Sequence, residues 1–115
     1  MIRMNPVRLF FAFGSAETSK DVYIPHIEPE GFAHVIKVNI PQLADTPTAT
    51  LNIYDLDGDL LFTKGSIAEN TVTMIYPQTG ESKPTPILIG AKVNITLTAA
   101  PGTPQIVTVV LYIVE

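Results

Sequence analysis

The sequence predicts an all-β fold: an antiparallel β-sandwich or jelly-roll-like domain of about eight strands, with an amino-terminal arm. Period-two alternation of apolar and polar residues recurs along the chain, whereas helical periodicity is almost absent. Pro, Gly, Asn and Asp interrupt that alternation roughly every 8 to 12 residues, the spacing of sandwich strands. No segment leaves room for the crossover helix that a parallel strand pair requires.

From the amino terminus, Met1 to Pro6 reads as a flexible arm and Val7 to Phe13 as a strand, so residues 1–14 form arm and first strand. Residues 15–31, with Pro25 and Pro29, read as an extended connection bearing one brief strand at Val22 to Ile24. Phe32 to Ile40 follows, with Phe32, His34, Ile36 and Val38 expected on one face. In Thr48 to Asp55, Ala49, Leu51 and Ile53 oppose Thr50, Asn52 and Tyr54. Asp57-Gly58 is a strong short-range hairpin signal, so Thr50 to Asp55 should pair with Leu60 to Lys64. Ser66 to Asn70 reads as a connection with at most one helical turn, Thr71 to Tyr76 as a strand stopped by Pro77, and Gln78 to Pro86 as a loop. Ile87 to Ile89, Lys92 to Thr98 and Gln105 to Val114 complete the set, giving a single sandwich domain over residues 8–115.

A chain of 115 residues fits one core. Surface scaling gives roughly 6,000 Å² folded against about 18,000 Å² extended, enough burial to stand without staples. There is no cysteine, which removes disulfides, thiolate metal sites and cysteine nucleophiles, and fits folding in a reducing cytosol. The net charge of −4, without a basic cluster, is the wrong sign for tracking nucleic acid phosphates. Only 16% of residues are charged, and thirteen Thr supply much of the polarity, a composition suited to strands and protein contacts. Val93 to Val114 carries no charge, but Asn94 and the Pro101-Gly102-Thr103-Pro104 break make it two strands and a turn, not a membrane span. The apolar run Leu9 to Phe13 is short and Ser15-Ala16-Glu17 is a poor cleavage site, so no signal peptide is expected.

The two terminal strands are apolar on both faces, where an outer strand of a monomer shows one polar face. Either they cover each other within one sheet, or another subunit covers the surplus. The candidate interface is Leu9, Phe10, Phe11 and Phe13 with Val107, Val109, Leu111 and Ile113, or the opposite set of the last strand.

Residues that could carry chemistry do not assemble into a motif. Asp55, Asp57 and Asp59 alternate as in a calcium loop, but Gly58 falls at position 4 and Ser66 at position 12, so a turn held by Asx hydrogen bonds is expected. His26 and His34 lack metal-pair spacing; a zinc site would need Glu28 or Glu30, and His34 is expected as a hydrogen-bonded residue on an inward face. Ser15, Ser19, Ser66 and Ser82 fall in ordinary loops without a nucleophile elbow. No catalytic residue, metal or cofactor is expected. Asn94-Ile95-Thr96 matches a glycosylation acceptor by chance inside a strand. Tyr23, Tyr54, Tyr76 and Tyr112 offer the alternative of a sugar-stacking platform, as in a carbohydrate-binding or adhesin-type sandwich.

Ala49 to Leu61, Ile87 to Leu97 and the Val107 to Val114 finish resemble small phage virion proteins, a group that includes capsid decoration, or cement, proteins of sandwich and jelly-roll fold. The resemblance is one of strand and turn pattern from Phe32 to the carboxyl end, and the amino-terminal third departs from it. It implies a virion subunit, assembled in the host cytoplasm, present in many copies as dimers or trimers that bridge major capsid proteins, without cofactor, nucleic acid or membrane. A neck or tail accessory protein is the alternative within the group. Acidic net charge suits an outer surface better than a face against packaged DNA.

Overall fold

The computed structural model describes residues 4–26, 31–77 and 85–114. Residues 1–3 of the expected arm, Glu28, Glu30, Ser82 and the 78–84 part of the expected loop lie outside the described residues.

Among the described residues nine strands form: β1 Met4–Phe13, β2 Ser19–Tyr23, β3 Gly31–Ile40, β4 Thr48–Tyr54, β5 Leu60–Ala68, β6 Thr71–Ile75, β7 Thr85–Ile87, β8 Lys92–Leu97 and β9 Gln105–Val114. Sheet I has the order β1-β9-β3-β6, with β7 also paired to β3, and sheet II has the order β2-β8-β4-β5. All pairs are antiparallel. Because β6 and β7 share one side of β3, the nine strands fill eight positions, two sheets of four. Successive strands cross between the sheets except at β4–β5 and β6–β7, which is the winding of a jelly roll. The chain exposes 6285 Å², close to the size-scaling value.

Alternation sets which side chains meet between the sheets. Sheet I contributes Leu9, Phe11, Phe13, Ile36, Val38, Ile40, Val107, Val109, Leu111 and Ile113; sheet II contributes Ala49, Leu51, Ile53, Ile67, Val93, Ile95 and Leu97. Gly31 marks a close approach of β3 to β9, because a Cβ there would meet the backbone oxygen of Val114.

Five local features differ from the sequence expectation. The strand expected at Ile87 to Ile89 runs instead from Thr85 to Ile87, because Thr85 and Pro86, expected in the loop, pair with Ala33 and Phe32 of β3. β1 pairs with β9 from Met4↔Val114, so residues 4–6 belong to the sheet and not to an arm. The first connection carries its strand at Ser19–Tyr23, because the brief stretch pairs through its polar residues with β8. A register shift between Ala33 and Val35 makes His34 an extra residue, a β-bulge that reverses the alternation. Phe32 and His34 are therefore exposed while Ala33, Ile36 and Val38 are buried, and His34 is not the inward residue expected. Finally, β5 runs through Gly65-Ser66 to Ala68: Ser66 takes φ 56°, and the shift between Ala49↔Ile67 and Leu51↔Lys64 absorbs the extra residue and keeps Ile67 buried.

Candidate interface on the outer faces

With one face of each sheet committed to the core, the chemistry of the chain lies on the two outer faces, which differ sharply.

Sheet II is polar outside. Asn94 on the central strand β8 is buried, and its Nδ2 donates to Ser19 Oγ at 2.9 Å, Asp21 Oδ1 at 2.8 Å and the Lys20 carbonyl at 3.3 Å. Its Oδ1 accepts from Asn52 Nδ2 at 3.2 Å and Thr96 Oγ1 at 2.9 Å. Thr63 Oγ1 in turn donates to Asn52 Oδ1 at 2.7 Å. The result is a ladder, Asp21–Asn94–Asn52–Thr63, across all four strands. An asparagine so occupied in a central strand is no accessible glycosylation acceptor.

Sheet I is apolar outside. Its cross-strand rows read Phe10–Thr108–Asn39–Val72 and Arg8–Val110–Lys37–Met74, with Ala12 beside Ile106. Phe10, Ile106, Val72 and Met74 are 47 to 59% exposed. Val110 is buried although it points outward, a burial explained by the long Arg8 and Lys37 side chains flanking it. At one end of the face Ala12, Phe13, Pro41, Pro104, Gln105 and Ile106 line an open cleft of about 540 Å³. A second cleft of about 430 Å³ lies between the sheet edges, lined by Phe62, Thr63, Lys64, Thr73, Met74, Ile75 and Tyr76.

Of the eight candidate interface residues, Leu9, Phe11, Phe13, Val107, Val109, Leu111 and Ile113 are taken up by the chain's own core, and Phe10 alone stands outward. The terminal strands do lie side by side in one sheet, so each covers the other's edge and neither covers the outer face. The surplus apolar surface is the opposite set, Phe10 and Ile106, joined by Val72 and Met74, which the sequence reading left out. Their alternation in β6 was the part of the signal available in sequence; that they share a face with Phe10 and Ile106 is decided by the register that pairs them with Asn39 and Lys37.

The remaining candidates are dispersed. Asp55 Oδ1 accepts the backbone N–H groups of Asp57 at 2.9 Å and Asp59 at 2.8 Å, the expected Asx turn, closed over Gly58 at φ +87°. Among the described residues no three His, Asp or Glu side chains are grouped as metal ligands. His26 and His34 are both exposed. Ser19 and Ser66 lie in strands β2 and β5, not in loops. The four tyrosines do not share a platform: Tyr23 and Tyr54 flank Lys92 on sheet II, Tyr112 faces out from sheet I, and Tyr76 follows β6. Lys92 Nζ sits 4.5 Å from the Tyr54 ring centroid, occupying the ring face that a sugar would need.

The sequence matches no protein-family profile and no curated protein. Solved structures do share the fold. The chain is similar to a subunit of Bacillus endospore appendages, described as disulfide-linked pili, at 16% identity and a TM-score of 0.53 over 100% of this chain and 90% of that one. It is similar to a chain of the cyanophage Pam1 capsid asymmetric unit at 17% identity and a TM-score of 0.51, over 96% and 86%. It is also similar to YomS, a protein derived from the SPBc2 prophage, at 12% identity and a TM-score of 0.50, over 97% and 98%. At these identities the likeness establishes the jelly-roll sandwich as the class of protein.

Proposed function

We propose that the protein is a structural subunit of a phage virion, of the capsid-decoration type, that works by contact with capsid neighbours and carries out no reaction. The observation behind this reading is the asymmetry of the two outer faces. One is a self-satisfied polar ladder, and the other concentrates the exposed Phe10, Ile106, Val72 and Met74, a patch that marks a protein contact. The jelly-roll winding supports the reading by analogy, since that fold serves in viral capsids as well as in lectins. Two solved structures that share the fold come from a cyanophage capsid and a prophage. A low charge content fits a subunit whose surface is covered by neighbours.

The test adds purified protein to heads, lacking it, of the phage that encodes it. Binding in the pellet, with genome release moved to higher temperature, is the expected result. Protein that stays in the supernatant at saturating concentration overturns the reading. Gold label confined to one vertex or to the tail would move the role to a neck or tail accessory subunit.

A further inference from the structure

The apolar outer face of sheet I has a charge signature as well. Arg8 and Lys37 flank Val110 in one row, two strand spacings apart, hence about 10 Å. No carboxylate lies on this face among the described residues, and the one ion pair among them joins Lys20 to Glu17 elsewhere. Stacking two such faces about a twofold axis would bring four cations together in a desolvated layer without an anion, which opposes a face-to-face dimer.

The complementary surface is on the same molecule, on the other sheet. The β4–β5 hairpin tip presents Leu56 and Leu60, 62% and 52% exposed, together with the exposed carboxylates of Asp57 and Asp59. Two leucines and two carboxylates within five residues mirror the apolar side chains and two cations of the face. The tip is also rigid, because Asp55 Oδ1 holds the backbone of both Asp57 and Asp59, so docking it loses little entropy.

We propose that the outer face of sheet I receives the Asp55–Leu60 hairpin tip of a second copy of this chain. Leu56 and Leu60 pack on Phe10, Ile106, Val72 and Met74, and Asp57 and Asp59 pair with Arg8 and Lys37. The proposal rests on the reading that this face is covered in an assembly, and it names the cover. Such a contact is heterologous, with different patches on its two sides, so it repeats from subunit to subunit and closes into a ring where the rotation allows. A hairpin tip buries less than the ~800 Å² per partner of a standard interface. A single contact is therefore weak, and ring closure multiplies it.

The experiment is sedimentation of the isolated chain from about 10 µM to about 1 mM, followed by a charge-swap mixture. The wild type should grow in mass with concentration and dissociate as salt screens the pairs. Arg8→Glu with Lys37→Glu should weaken association at least tenfold, and so should Asp57→Lys with Asp59→Lys. Mixed one to one, the two variants should associate again, since each offers a patch opposite in charge to its partner's. Should a double variant fail to fold by circular dichroism, Lys37→Glu and Asp59→Lys carry the same swap. A chain monomeric throughout, an oligomer indifferent to both variants, or a mixture that stays dissociated overturns the proposal. A monomeric chain that still pellets with heads overturns this inference alone, whereas one that self-associates but never pellets overturns the virion reading alone.

Discussion

Replacing Asn94 tests the ladder that makes sheet II polar. In Asn94→Leu the side chain keeps its branched four-atom shape but surrenders the bonds to Ser19, Asp21, the Lys20 carbonyl, Asn52 and Thr96. Two amide protons are shared among three acceptors, so about four effective bonds are lost, each worth roughly 0.5–1.5 kcal/mol net. Ser19, Asp21 and Thr96 are exposed and regain water, Asn52 keeps Thr63, and the buried leucine recovers part of the loss. The expected deficit is about 2–3 kcal/mol. At roughly 4–8 °C per kcal/mol for a domain near this size, the thermal midpoint falls by about 10–20 °C. Urea unfolding followed by circular dichroism, with an unchanged slope, measures it directly. Asn94→Asp goes further at neutral pH, since it sets a carboxylate against the Asp21 oxygen that now lies 2.8 Å from the amide. That pair binds a proton more readily folded than unfolded, so the extra deficit shrinks as pH falls through the carboxylate range. A leucine deficit under about 0.5 kcal/mol, or an aspartate deficit that ignores pH, would refute the ladder as a stabilising element.

Two further outcomes follow from single groups. Thr85 is fully buried and its Oγ1 has no hydrogen-bond partner among the described residues, so Thr85→Val should raise stability by about 1 kcal/mol in the same urea assay; a loss of stability would mean the hydroxyl is satisfied. The Glu17 carboxyl is held below its ordinary value of 4.5, chiefly by the Lys20 ammonium hydrogen bond and next by the Gly14 N–H. Because the folded value is the lower one, the stability it contributes is present above the unfolded value and is lost as pH falls through the folded one. Carboxyl NMR titration should place the Glu17 midpoint below 4.5, and Lys20→Met should raise it; a midpoint indifferent to Lys20 contradicts the geometry.

What the sequence reveals is whatever is local. The β4–β5 hairpin follows from Asp57-Gly58, and β8 from strict alternation between Lys92 and Leu97, because turn chemistry and side-chain period are properties of neighbouring residues. What it conceals is whatever a partner strand decides. His34 is placed outside by one extra residue opposite β9, and nothing within Phe32 to Val38 announces that bulge. Ser66 continues a strand at positive φ because β4 holds both sides of it, where its own sequence reads as a connection. The candidate interface shows the same limit, since the choice between the named set and its opposite is not a local one. Terminal strands apolar on both faces say that one face is surplus, yet which face is surplus depends on the sheet across the core, and β9 turned Val107, Val109, Leu111 and Ile113 towards it.

The low charge content of the chain takes on a physical meaning once the two faces are compared. Sheet II stays wettable largely through amides and hydroxyls that satisfy one another, with Thr48 N–H on Thr98 Oγ1 and Thr63 on Asn52 extending the ladder to the edge strand. Such a surface needs few ions and offers few unpaired groups to a neighbour. The outer face of sheet I is equally sparing of charge but shows no such ladder among the described residues, and its exposed apolar side chains gain by burial. Under the proposed function an orientation follows: sheet II meets solvent, and sheet I meets protein. Arg8 and Lys37 then contribute more than solubility, because two cations in an otherwise apolar layer penalise any cover that lacks carboxylates, and so select among apolar partners.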